Sequence, residues 1–255
     1  MKIRIKFAKY GMMKFIGHLD MMRYFQKAMR RADIDIAYSE GFSPHQIMSF
    51  AAPLGVGVTS EGEYLDIEVH STKSSEEALR ALNEAMVEGV SVLEYRRLPE
   101  GAKNAMSSVA AADYTVAFKE KEDNPFNLKE LSEAVHGFYQ EQAEILITKQ
   151  TKKSEKMMDL KPLIYALTAI PCPETEDGDT SSDTENPGFF MKVCTGSSDN
   201  VKPELVLSAF ADYCREHSIC RFEYQPAKMQ IHRLEVYAAS EDGFLPLGAL
   251  GCDIV

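Results

Sequence analysis

Two histidines lie where side-chain chemistry is common. His18 stands between Gly17 and the start of a predicted helix, and His45 follows Ser43 and Pro44 in a loop rich in helix-breaking residues. An imidazole titrates near neutral pH and can serve as a general acid or base. His18 and His45 are therefore the candidate catalytic residues. The alternative is that each histidine holds its loop in place through backbone hydrogen bonds.

Metal and cofactor chemistry find no support in the sequence. The spacing of His18, Asp20 and His45 fits no common metal site. The five cysteines form no CxxC pair and are odd in number, which argues against both a zinc site and a disulfide framework. We therefore predict no metal and no cofactor.

Basic side chains gather near the start of the chain. The net charge is −11, yet residues 1–50 carry nine basic side chains against four acidic ones. Arg23, Lys27 and Arg30 follow the i, i+4, i+7 spacing of one helix face, with Arg31 beside them. Such a density of cations suits phosphate binding, because local potential steers an anion even to an acidic protein. A solvated helix face is the alternative interpretation.

A second set of bases lies on the first predicted strand. Lys2, Arg4 and Lys6 share one face of that strand, which could meet phosphates on an open sheet. In the predicted sheet, however, Asp66 and Glu68 would stand opposite them on a neighbouring strand. Cross-strand ion pairs are then the alternative.

Other side chains could extend an RNA-binding surface. Lys152 and Lys153 belong to a predicted lysine-rich hairpin within residues 149–161, which could extend a phosphate-binding track. The alternative is a solvated hairpin with no binding role. Five aromatic side chains could stack on bases, although a position in the core is more common for the last two: Tyr10, Phe15, Tyr38, Phe42 and Phe50.

The elements that must position these residues follow the order β-α-β-β-α-β in residues 1–98. Apolar alternation predicts strands at 2–8 and 63–69 and a short strand at 46–50, and an apolar stripe of Leu19, Met22, Phe25, Met29 and Ala32 predicts a helix at 17–32. Ser74 and Glu77 form a capping box for a second helix that ends at Gly89, and a strand follows at 90–95.

A linker at 99–110 leads to a second lobe, 111–255, with a similar order. Strands are predicted at 114–118, 143–148, 156–160, 189–194 and 230–237, and helices begin after Asn127 and at Pro203. Residues 172–187 hold six acids and no bases, which is typical of a mobile excursion. The predicted fold is α+β with two tandem ferredoxin-like (βαββαβ) lobes.

The cellular compartment is predicted from what the sequence lacks. No run of about 18 apolar residues could cross a membrane. The first ten residues alternate apolar and basic side chains, unlike a signal peptide. A cytoplasmic protein without membrane contact is expected.

An ordered set of motifs in residues 1–70 resembles the radical-SAM-linked proteins, an uncharacterised family. The motifs are FIGHLD at 15–20, Arg23, RRA at 30–32, SEGFSPH at 39–45, SF at 49–50, PL at 53–54 and EYLD at 63–66. The resemblance implies a partner class rather than a reaction, because the domain occurs alone or appended to radical-SAM proteins with a cobalamin-type domain. This chain has no CxxxCxxC motif of its own.

Three functions remain open from the sequence. The first is an RNA-binding accessory protein, for tRNA or rRNA, that works with a radical-SAM RNA-modifying enzyme. The second is a metal-independent RNA-processing enzyme that uses His18 or His45. The third is a protein-interaction module whose acidic surface docks a basic partner. Whether the protein is an enzyme and how many copies assemble are not predicted.

Overall fold

The computed structural model describes residues 1–150, 155–172, 186–196 and 199–255, and it confirms the α+β class. The chain divides into two compact units. The first comprises Met1–Ala111 with Arg233–Val255, and the second comprises Ala112–His232. Residues 233–255, which the sequence analysis assigns to the second lobe, thus belong to the first unit. Among the described residues, no helix combines the length and the apolarity needed to cross a membrane.

The first unit begins with the predicted order of elements. These are β1 (Lys2–Lys9), α1 (His18–Arg31), β2 (Met48–Phe50), β3 (Thr59–Glu68), α2 (Ser75–Ala85) and β4 (Val90–Arg97). Strand β1 lies between β3 and β4 and is antiparallel to both, and β2 pairs with β3. Helix α2 has the capping box predicted at Ser74 and Glu77. It ends at Ala85, before Gly89, which instead adopts a left-handed conformation in the turn to β4.

One face of this sheet carries the hydrophobic core. Ile3, Ile5 and Phe7 of β1 are buried against α1 and α2, and the rings of Phe7 and Phe25 lie 4.7 Å apart. The buried positions of α1 are Met21, Phe25, Ala28 and Met29. Leu19, predicted in the apolar stripe, is 62% exposed, because the buried stripe runs through Met21 on the other side of the helix.

The opposite face of the sheet is covered by segments from far along the chain. They are α3 (Ala105–Ser108) and a 3-10 turn at Leu247–Leu250, whose Leu247 carbonyl accepts a hydrogen bond from Arg4. Strand β10 (Met229–Ser240) extends the sheet beside β3, and β11 (Gly243–Pro246) pairs with β10. Residue Cys252 bridges to Arg97 at the end of β4. The sheet of the first unit is therefore covered on both faces.

The second unit contains the remaining elements. They are β5 (Val109–Phe118, from Ala112 onward), α4 (Leu128–His136), β6 (Leu146–Gln150), β7 (Glu155–Asp159), β8 (Ile164–Cys172), β9 (Asn186–Cys194) and α5 (Pro203–Glu216). Strand β9 lies between β5 and β8, and β6 and β7 form a separate hairpin. Asn127 caps α4 and Pro203 opens α5, as predicted. Strand β8 was not predicted, and residues 173–185 of the predicted excursion lie outside the described residues.

At Gly62 the backbones of β3 and β10 leave no room for a side chain. A Cβ atom at Gly62 would lie 2.6 Å from the Glu235 Cα and 2.7 Å from the Leu234 carbonyl oxygen. Those atoms belong to the backbone, so only a shift of the strand could make room. We expect Gly62→Ala to lower the free energy of unfolding by about 1–3 kcal/mol, measured by urea denaturation. Gly55→Ala is the matched control, because its nearest atom lies at 3.6 Å. Equal stability of the two variants would contradict this.

Candidate nucleic-acid interface

The basic face of β1 is not an open surface. Arg4 stands opposite Asp66 in the strand register, and its Nε and Nη2 atoms donate to the two carboxylate oxygens at 2.8 and 2.9 Å. The Arg4 side chain is 1% exposed. Lys6 donates to the Glu235 carboxylate at 2.7 Å, and both side chains are largely buried. The ion-pair alternative therefore describes these two residues, and neither is free to receive a phosphate.

Lys2 differs from its neighbours on β1. It is exposed, and Glu68 stands opposite it in the register of β1 and β3. Its charge therefore has an acidic neighbour on the sheet, as the sequence predicts. A single lysine beside a glutamate adds little to an anion-binding surface.

Helix α1 presents its bases to solvent. Arg23, Lys27 and Arg30 are all exposed, and we call them the α1 stripe. The stripe lies on the face away from the buried positions of the helix. Asp20 pairs with Arg23 at 3.2 Å, but both side chains are about two-thirds exposed. A pair of this kind contributes little and yields readily to a competing anion.

Arg31 does not belong to the stripe. Its Nη2 atom donates to the Ala85 carbonyl at the end of α2 at 2.8 Å, and its guanidinium lies 5.9 Å from the centre of the Tyr24 ring. The C-terminal end of a helix carries partial negative charge, which favours a cation there. Arg31 thus links the two helices of the first unit.

A closed loop at residues 39–45 projects beside this helix. The Ser39 amide donates to the His45 carbonyl at 2.8 Å, and the His45 amide donates to the Ser39 hydroxyl at 3.1 Å. The same hydroxyl shares a 2.8 Å hydrogen bond with the His45 Nδ1 atom. Phe42, near the tip of the loop, is fully exposed rather than in the core. A large apolar ring in that position has no packing role within the described part of the chain.

The 39–45 loop is anchored next to the stripe. The Gln46 side-chain Nε2 atom donates to the Gln26 backbone carbonyl of α1 at 3.2 Å and to the Tyr38 hydroxyl at 3.4 Å. Hydrogen bonding from Gln46, followed by the nearby Arg30 guanidinium, lowers the pKa of the Tyr38 phenol. The exposed Tyr38 ring therefore lies at the Arg30 end of the stripe, where both side chains line one cleft. A cation and an exposed aromatic ring are neighbours there.

The two candidate catalytic histidines are not brought together. The His18 ring packs edge-on against Phe50, with the centroids 5.1 Å apart, at the start of α1. Gln46 contacts Gln26, about two turns further along α1. Since Gln46 and Phe50 are four residues apart in an extended segment, these two contacts with α1 are separated by roughly 13 Å. His45 precedes Gln46, and its Nδ1 atom is hydrogen-bonded to the Ser39 hydroxyl. The contacts of His45 thus match the alternative in which it holds its loop in place, whereas His18 makes an aromatic contact with Phe50.

The sequence matches one known protein family over most of its length. The sequence matches the family DUF2344, described as an uncharacterized protein conserved in bacteria, over residues 2–203. The chain belongs to this family. No curated protein matches the sequence. The match includes the α1 stripe and the 39–45 loop, and the family description names neither a reaction nor a partner.

Two of the predicted RNA-binding lysines of this DUF2344 protein lie outside the part of the chain that the structure describes. Lys152 and Lys153 lie outside the described residues, between β6 and β7. Within the described ranges, no group of three histidine, cysteine or acidic side chains could hold a metal ion. The sequence analysis did not single out Gln46, whose role depends on a contact with a helix 20 residues earlier.

Proposed function

We propose that this protein binds single-stranded RNA along the α1 stripe and the 39–45 loop. The observation that supports the proposal is the exposed Tyr38 ring beside Arg30, at the end of a stripe of three exposed cations. The exposed Phe42 ring belongs to the loop that Gln46 anchors to the same helix. Proteins that bind single strands combine a positive track for the backbone with aromatic rings on which bases stack. The acidic remainder of the chain does not oppose this, because the potential near a cluster of bases is local.

The geometry of the stripe suits a flexible strand. Its three members span seven residues of helix, or about 10 Å along the axis. Such a length is long enough to contact more than one phosphate of a single strand. The Tyr38 ring at the Arg30 end of the stripe offers a base a surface on which to stack.

The proposed fold of both lobes is ferredoxin-like. In the first unit the strand order is β4-β1-β3 with β2 beyond β3, and the strands and helices alternate as β-α-β-β-α-β. In the second unit β5, β9 and β8 are neighbours in that order, with the β6–β7 hairpin inserted before β8. RNA-binding domains of this architecture often use an open sheet face. Since that face is covered in the first unit, the proposal assigns binding to a helix instead.

The proposed partner is a radical-SAM enzyme that modifies RNA. Support comes from the motifs in residues 15–66, which resemble those of the radical-SAM-linked proteins. The sequence has no CxxxCxxC motif, so in this proposal another protein generates the radical. In this role the protein presents RNA to the enzyme. Co-purification with such an enzyme that is lost on nuclease treatment would fit RNA-bridged presentation. Co-purification that survives nuclease would favour the interaction-module alternative.

Salt dependence of binding is the direct test. The protein is titrated into fluorescein-labelled single-stranded RNA and into total tRNA, and binding is followed by fluorescence anisotropy. Three phosphate contacts on a single strand predict that affinity falls about 20-fold between 50 and 200 mM salt. Affinity that is independent of salt would exclude phosphate contacts. Absence of binding at 50 mM salt would refute the proposal and favour a protein partner.

A further inference from the structure

A cleft of about 550 Å³ opens at the end of the α1 stripe. It lies between the C-terminal end of α1, the segment 33–38 and the start of α2, all within the first unit. Arg30 belongs both to the stripe and to the lining of this cleft. We call it the end cleft. Its volume falls within the range of small-molecule and cofactor sites.

The end cleft has an apolar floor. Ala32, Ile34, Ile36, Ala78 and Ala81 contribute to its lining. Ala78 and Ala81 belong to α2, and Ala32 is the C-terminal cap of α1, so three of the lining side chains are no larger than a methyl group. An apolar lining of this kind suits the face of a heterocyclic ring, which is planar and gains from burial.

The rim of the end cleft carries two cations and two carboxylates. Arg30 and Lys73 supply the positive charges, and Asp33 and Asp35 supply the negative ones. The Ser71 hydroxyl donates to Asp35 Oδ2 at 2.7 Å, which orients that carboxylate. The two cations suit a phosphate, and ionised carboxylates can only accept hydrogen bonds. The rim therefore favours a ligand with both a phosphate and a pair of N–H donors.

We propose that the end cleft binds a guanine nucleotide, either free or as one residue of the bound RNA. Guanine presents its N1–H and N2–H₂ groups side by side on the Watson–Crick edge, which matches the two oxygens of a carboxylate. Adenine places an acceptor beside its N6 amine, and uracil flanks its single N–H with two acceptors. The proposal rests on the RNA-binding function where the guanine belongs to RNA, and it adds base preference to that function.

The test compares single-stranded RNAs that differ at one base. The probes are a labelled oligouridine of about 12 nucleotides, within the usual footprint of single-strand binders, and the same strand with one central guanosine, adenosine or cytidine. Wild-type protein is expected to favour the guanosine strand about 10-fold, the discrimination typical of one bidentate base contact. The Asp33→Asn/Asp35→Asn variant is expected to lose that preference while its affinity for oligouridine stays within about twofold.

A second variant and a second ligand separate the outcomes. Ala81→Leu narrows the end cleft without changing charge, and it should abolish the guanosine preference as well. The Arg23→Glu/Lys27→Glu variant should weaken all strands equally and keep the preference. GMP is titrated into the protein by calorimetry alongside these measurements, with UMP as the comparison.

Each result decides one of the two proposals. Equal affinity of the wild type for all four strands, together with no preference for GMP over UMP, overturns the guanine site and leaves RNA binding intact. No RNA binding, with GMP binding that the Asp33→Asn/Asp35→Asn variant loses, overturns the RNA proposal and supports the site for a free nucleotide. Guanine preference that persists in both end-cleft variants overturns this location for the site.

Discussion

RNA affinity is expected to fall on the order of 100-fold at about 0.1 M salt when Arg23, Lys27 and Arg30 are all replaced by glutamate. The change replaces three exposed cations with three anions on the face that the proposal assigns to the phosphate backbone. Repulsion then adds to the loss of each contact. Anisotropy titrations against labelled single-stranded RNA measure the effect.

A matched variant controls for net charge. Lys129, Arg215 and Arg221 are exposed and belong to the second unit, and replacing them with glutamate changes the net charge by the same amount. The first and second of these pair with Glu133 and Asp212 on the surface, much as Arg23 pairs with Asp20. We expect this control to keep RNA affinity within about threefold of the wild type, because these three side chains are not part of the proposed binding surface.

Thermal unfolding of both variants checks that the fold is kept. Comparable unfolding temperatures with a selective loss of affinity in the stripe variant would support the helix as the binding surface. An equal loss in both variants would show that only the overall charge matters. Wild-type affinity in the stripe variant would contradict the proposed function outright.

Local signals account for the elements that the sequence predicted well. The predicted bounds of α1 are within one residue of those observed, because Gly17 precedes a clear apolar period of 3.6 residues. The capping side chains of Ser74 and Asn127 act within four residues of their own helices. Such interactions need no knowledge of the rest of the chain.

The sequence did not predict strand β8, and the reason is also local. Residues Ile164–Cys172 read IYALTAIPC, which has no strict alternation of polar and apolar side chains and contains Pro171. A strand that pairs along β9 and packs beside α4 gains its stability from those neighbours. Its isoleucine, tyrosine and threonine side chains favour a strand, but Pro171 and the lack of alternation weaken that signal.

The candidate interface was predicted only in part. The spacing of Arg23, Lys27 and Arg30 predicts a shared helix face, and the structure places all three in solvent. Arg31 follows directly in sequence, but its partner Ala85 lies 54 residues away, so its separate role could not be read from spacing. The end cleft likewise depends on segments from 30–38 and 71–81 meeting in three dimensions.

Burial of Arg4 is the largest departure from an open basic surface. Its Nη1 atom donates to the Leu247 carbonyl, 243 residues away, and its Nη2 atom also reaches the Lys103 carbonyl. Neither covering segment could be placed over β1 from the pattern of β1 alone. Alternation distinguishes two faces of a strand, but it does not tell whether the polar face meets water or another part of the chain.

Removal of the Asp66 carboxylate is expected to be among the most destabilising single changes in the first unit. Asp66 accepts two hydrogen bonds from Arg4 and one from the Ala105 amide, and its side chain is 9% exposed. Asp66→Ala leaves a buried guanidinium that cannot lose its charge, so we expect a loss of about 3–5 kcal/mol in the free energy of unfolding. Urea denaturation at neutral pH measures it.

The stability lost in Asp66→Ala distinguishes a buried ion pair from an exposed one. Asp20→Ala, which removes the exposed partner of Arg23, is expected to cost less than about 0.5 kcal/mol. Replacement of both buried partners, as Arg4→Met/Asp66→Leu, should recover most of the stability that Asp66→Ala loses, because no charge is then left without a partner. If Asp66→Ala costs no more than Asp20→Ala, the Arg4 guanidinium must reach water. The sheet face would then be open, and the basic residues of β1 would return as candidates for phosphate binding.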